Sequence, residues 1–315
     1  MLITGMLKHK SIAFNIRGLK GWVVLLLMII TPFLSKGDDS GWWNTLHGWK
    51  PGMPGWRMWV NISPGYLGPN ALPVPELKRG VIPKKSEVEL SADFHFMKGD
   101  PTQDLAGKIY IPFANEKIAL ELYGVMVEKY QMSDAVRDER IARDRDGKGV
   151  TQGDLYFSTL VQLAKNRKFP NTLLRMAVKT ASGGAYNAAR YSDSPGYFFD
   201  LSFTNKRNPD KISGVNVFAT VGFYSWQTTD ADNLQNDAFL YGGGLEYFKG
   251  SWTAATSLSG YMGYKDERDQ PVVVNIDVRK DFGQKALRLQ YIKGLKDWKY
   301  DTLKFSFIWY FKGVN

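Results

Sequence analysis

The chain has 315 residues, enough for one large or two medium domains, and no cysteine, which excludes a disulfide framework and any thiolate metal site. Its formal charge is +10, yet Lys8, Lys10, Arg17, Lys20 and Lys36 all precede the first acid, so losing residues 1–37 would halve it. No basic helix or basic aromatic motif appears, so the charge does not imply a nucleic-acid partner.

Lys8, Lys10, Arg17 and Lys20 are followed by an apolar run over residues 22–30 and by the small residues Ser35 and Gly37. A basic stretch, a short apolar core and a small-residue exit predict a secretory signal over residues 1–37. The run is too short to span a membrane, which takes about 20 apolar residues, so a retained anchor is the weaker reading. No Cys follows the run, so a lipid-anchored lipoprotein is excluded. No other stretch reads as a membrane-spanning helix, and residence in a membrane would have to be through strands.

Residues 38–85 differ in composition. They hold Trp42, Trp43, Trp49, Trp56 and Trp59, half of the tryptophans, together with half of the prolines. Proline denies ladder hydrogen bonds, so regular sheet is not expected here, while five indoles need a surface to bury against. Two readings stay open: a plug inside a barrel or across its periplasmic mouth, and a periplasmic tail that docks a partner.

From Ser86 the chain alternates apolar and polar residues with breakers between the runs, the period-2 signature of strands. Twelve such runs can be read, centred in residues 88–96, 105–111, 118–123, 154–163, 174–179, 197–203, 215–224, 241–247, 252–259, 272–279, 287–291 and 303–311. The connections after even-numbered runs are mostly short, such as residues 113–117, 249–251 and 281–285. Those after odd-numbered runs tend to be longer or more polar, such as residues 131–153 and 181–196. In the last run Leu303, Phe305, Phe307, Trp309 and Phe311 share one face.

These runs, their even number, and a final strand with Phe307, Trp309 and Phe311 resemble the outer-membrane β-barrels of Gram-negative bacteria over residues 86–315. The Trp- and Pro-rich lead-in is similar to that of barrels from Bacteroidota. The resemblance implies an all-β fold, a transmembrane antiparallel up-and-down barrel of about 12 strands with an N-terminal non-barrel segment. It also implies residence in the cell outer membrane, contact with outer-membrane lipid, and recognition by the barrel assembly machinery through Phe307, Trp309 and Phe311. No cofactor is implied, and an outer-membrane protein complex is a further candidate partner.

Taking the less apolar face as the lumen places Glu89, Asp93, Glu121, Asp154, Asp200, Glu246 and Asp277 inside. The same choice places Lys108, Arg175, Lys179, Arg279, Arg288 and Lys304 there, with His95. So nearly balanced a lumen either lines a water path or zips itself shut with ion pairs, since unpaired burial is costly. A gated or selective pore for small solutes is the leading expectation. A structural or accessory barrel is the alternative, and a lipid-modifying enzyme is third. For the enzyme, Ser91, Asp93 and His95 share a face and offer raw material, but strand neighbours two apart more commonly form a polar ladder. Residues 144–149 resemble the start of a calcium loop, but Lys148 and Leu155 stand where oxygen ligands belong. The plainer reading of residues 134–148 is a solvated mixed-charge loop. Gly242, Gly243 and Gly244 sit inside a run and suit a bend or a close backbone approach by the N-terminal segment.

Overall fold

A computed structural model of the chain describes residues 40–165, 170–205 and 212–312. The expected signal at residues 1–37 lies outside them.

Alternation becomes pleated strand wherever it was read. The strands are β1 (Ser86–Phe96), β2 (Thr102–Phe113), β3 (Ile118–Gln131), β4 (Lys148–Thr151), β5 (Leu155–Ala164), β6 (Asn171–Lys179) and β7 (Gly196–Thr204). They continue as β8 (Ser213–Gln227), β9 (Gln235–Lys249), β10 (Trp252–Gly263), β11 (Val272–Phe282), β12 (Lys285–Lys296) and β13 (Asp301–Phe311). Each pairs antiparallel with its sequence neighbour, and β1 closes the sheet on β13, from Ser86 opposite Phe311 to Phe96 opposite Asp301. Around the wall there are twelve strands. β4 is the extra one: it pairs with the end of β3 (Glu128 opposite Thr151), while β5 pairs with the rest (Gly124 opposite Leu155).

The two faces separate by chemistry. Leu90, Phe157, Val178, Leu245, Leu287, Phe305 and many like them point outward and are exposed. Left in water, each would forgo about 1.5–3 kcal/mol of burial. So extensive an apolar belt belongs in hydrocarbon, where a closed barrel leaves no strand edge unpaired. Phe307, Trp309 and Phe311 lie on this outer face.

Short turns gather at one end, for example residues 114–117, 250–251 and 283–284, with the Ser86–Phe311 end of the β1–β13 seam. Long connections gather at the other. The short-turn end is periplasmic and the long-loop end is outer. The longest connection is more ordered than its mixed charges predicted. It folds as a short helix at Asp134–Glu139, capped by the Ser133 hydroxyl on the amide of Val136, followed by β4. Within it, Asp144 accepts a hydrogen bond from Tyr130. Lys148 joins the β3 ladder opposite Gln131.

Candidate functional site

Residues 40–85 fill the lumen from end to end, and their two halves do different work. The first half is a cap at the outer mouth. Helix α1 (Gly41–His47) ends on Gly48 in the left-handed region and buries Trp43, whose indole donates to the Ile141 carbonyl at 3.1 Å. Trp56 and Trp59 pack edge-on against Trp43. The Arg143 guanidinium lies 4.9–5.5 Å from the rings of Trp43, Trp49 and Trp56 and donates to the Ser40 hydroxyl at 2.7 Å. Arg137 lies over Trp42. Four of the five indoles therefore meet partners from the outer connections, and Trp59 packs on Trp43 and His47. The Trp-bearing half, expected inside the barrel or across its periplasmic mouth, sits against the outer connections, because the folded outer loops supply the apolar and cationic surface its indoles need.

The second half threads the barrel. Its prolines leave carbonyls with no ladder partner, and a buried carbonyl must find a donor. The wall provides one for each stage of the descent. Trp226 donates to the carbonyl of Ile62 at 3.1 Å, Trp298 to Pro69 at 3.1 Å, and Tyr261 to Leu72 at 2.7 Å. Nearer the periplasm, Gln162 donates to Gly80 at 2.9 Å and Tyr110 to Pro83 at 3.0 Å. Gly80 is required twice over. Its φ is +67°, and a Cβ there would stand 2.8 Å from the amide nitrogen of Thr204. Gly242 likewise leaves room for Leu77, whose Cδ1 would be 2.8 Å from an added Cβ.

The charged wall is paired with itself and with this thread. Lys304 meets Asp93 at 3.1 Å, Lys108 meets Glu89 at 2.6 Å, Arg175 meets Asp200 at 2.6 Å, and Lys179 meets Asp154 at 2.7 Å. Arg288 holds Asp277 at 2.7 Å, and Arg279 reaches Glu87 at 3.3 Å. The thread adds Lys78 on Glu121 at 2.5 Å, Arg79 on Asp277 at 2.8 Å and on Glu246, and Glu76 on Arg288. Of these wall residues the sequence pointed to all but Glu87, and it did not single out Glu76, Lys78 and Arg79 of the thread. Their closely spaced charges, in a stretch otherwise poor in charge, were the available signal.

Ser91, Asp93 and His95 do not converge. Asp93 takes Lys304, while His95 bonds Thr302 and Asp104, each at 2.7 Å. Thr302 is directly opposite His95 across the seam, so this is a cross-strand ladder.

Above the thread, the outer mouth is closed by a buried cluster that the sequence reading did not find. Arg190, with no exposed surface, donates to Asp100 at 2.7 and 2.8 Å, to Glu128 at 2.8 Å and to Thr102 at 2.8 Å. Arg140 adds a bond to Asp100 at 2.8 Å and one to Tyr300 at 2.8 Å. Burial pushes the Asp100 carboxyl up, but Arg190, Arg140 and the Tyr300 hydroxyl outweigh it and hold it below the ordinary range. Beside the thread remains a cavity of about 230 Å³, lined by Glu89, His95, Asn275, Gln290, Tyr123 and others.

An apolar belt outside, ionic ladders inside and a closed even-stranded wall occur together in one setting. The chain is an outer-membrane β-barrel. No protein-family model matches its sequence, and no curated protein does. Among solved structures it is similar to the KdgM porin, at 12% identity over 71% of this chain and 99% of that one, with a TM-score of 0.46. It is also similar to an outer membrane channel from Pseudomonas putida F1, at 12% identity over 76% of this chain and 98% of that one, with a TM-score of 0.48. Neither score reaches 0.5, so neither likeness transfers a property to this chain.

Proposed function

We propose that the protein is a gated channel for small hydrophilic solutes, with residues 63–85 as the resident gate. The observation that carries this is the set of ion pairs in the middle of the thread, where Glu76, Lys78 and Arg79 meet charges of the wall. Ion pairs and single hydrogen bonds hold the thread, and water can replace each of them when it moves. Leu67, Leu72 and Ile82 also pack against apolar wall residues, and those contacts must part as the thread moves. The cavity of about 230 Å³ beside the thread is the start of a water path. The charges of both signs around it favour hydrophilic solutes over apolar ones.

The chain has no native cysteine, so a double variant, Leu77→Cys with Gly242→Cys, gives a clean lock between thread and wall. In planar bilayers the reduced protein is expected to conduct and the oxidised protein to be silent. A permanently closed structural barrel is the second reading, favoured by the complete burial of Arg190. Silence of both the wild-type protein and the reduced double variant would select that reading and end the channel proposal.

A further inference from the structure

We infer that the N-terminal cap, residues 40–62, is displayed on the outer surface of the cell, so that the chain is threaded outward through its own barrel. Two sets of contacts at opposite ends of the molecule carry this. At the cap end, the hydrogen-bond partners of residues 40–61 outside the segment itself lie in outer connections. Trp43 bonds Ile141 between β3 and β4, and Tyr186, between β6 and β7, donates to the Arg57 carbonyl at 2.6 Å. Asn61 donates to Glu267, between β10 and β11, at 3.3 Å. At the other end of the segment the partners are periplasmic turns. Lys84 pairs with Glu116 at 3.3 Å, and Lys85 donates to the Gly283 carbonyl at 3.4 Å. Between them the carbonyls of Ile62, Leu72 and Pro83 are taken in order by wall residues.

The direction of the thread is therefore fixed, and it runs opposite to what a segment ahead of β1 would need for a periplasmic role. The tether to the barrel, at Ser86, is periplasmic, and the end remote from it is outside. Leu46, 60% exposed, and Met53, 45% exposed, lie on the cap. The inference needs only the orientation of the barrel and stands whether or not the lumen conducts.

The test is cysteine labelling of full-length single variants with a membrane-impermeant maleimide, on intact and on permeabilised cells. Leu234→Cys, between β8 and β9, is the outer reference, and Gln284→Cys, in the turn between β11 and β12, is the periplasmic one. All these positions are exposed, so the substitutions leave the core alone. Leu46→Cys and Met53→Cys are expected to label on intact cells to the same extent as Leu234→Cys, with Gln284→Cys labelling only after permeabilisation. Labelling of both cap variants only after permeabilisation, while the references behave as stated, would overturn the inference. Reversal of the two references would overturn the barrel orientation and the inference with it.

Discussion

Arg190 is a fully buried cation, and it is tolerated because its forked guanidinium meets two carboxylates and a hydroxyl at once. Replacement by Met would leave Glu128 with only Asn70 and Tyr191, and Asp100 with Arg140 and Tyr300. Breaking a buried pair from one side costs about 3–5 kcal/mol. Arg190→Met is therefore expected to lower unfolding stability in micelles by about that amount, measured by urea titration. Asp100 sets the acid limit of the same cluster. Its folded pKa is depressed, so its contribution is present above the unfolded value of about 3.9 and is lost as pH falls through the lower folded value. The loss of structure tied to Asp100 is expected only below about pH 4, read by tryptophan fluorescence; His47, packed against Trp43 and Trp59 with its pKa lowered by burial, is a separate source of change. A transition near pH 6 would exclude Asp100 as its cause.

At the scale of elements, the strands were legible because each has one face in hydrocarbon and one in a polar lumen. That difference writes a period of two directly into the residues. The helix and β4 in the longest outer connection were not legible as such. Mixed charges over residues 134–148 hid them, although Ser133 followed by Asp134 was a helix-start signal within reach. Gly242 in β9 is understood only with Leu77 beside it, while Gly244 makes room for Phe218 and the neighbouring strand. Gly242→Val places side-chain atoms where Leu77 sits, an overpacking that costs about 1–3 kcal/mol. The strain falls on the thread, which is the softer partner because it lacks a ladder. Higher open probability than wild type in bilayers is the expected outcome; an unchanged or lower value would show that the strand yields instead.

At the scale of the whole molecule, the proposed channel is closed in this structure. It is closed twice, by the ion-paired thread in the middle and by the Arg190 cluster with the Trp cap at the outer end. The thread remains covalently tied at the periplasmic end, and the bulk of the cap lies beyond the mouth. Withdrawal toward the periplasm would draw five indoles and α1 past a charged wall. Release from the outer side breaks only the contacts with Arg143, Arg137 and the neighbouring loops. The crosslink between Leu77→Cys and Gly242→Cys reads the state of the middle closure, and the labelling of Leu46→Cys reads the position of the cap, so the two closures can be followed separately.

The sequence by itself determined the barrel: alternation sets which face each side chain takes, and the even count with alternating loop lengths sets the closure and orientation. It also marked residues 38–85 as unlike the rest, because clustered proline and tryptophan suit neither strand nor solvent. Only the tertiary structure decided where that segment runs. Its carbonyls are satisfied by Trp226, Trp298, Tyr261, Gln162 and Tyr110, and its charges by partners 32 to 212 residues away. Such pairings leave no local pattern, because a single donor on a distant strand has no period to read. The direction of the thread, and with it the outer placement of the cap, follows from those long-range bonds.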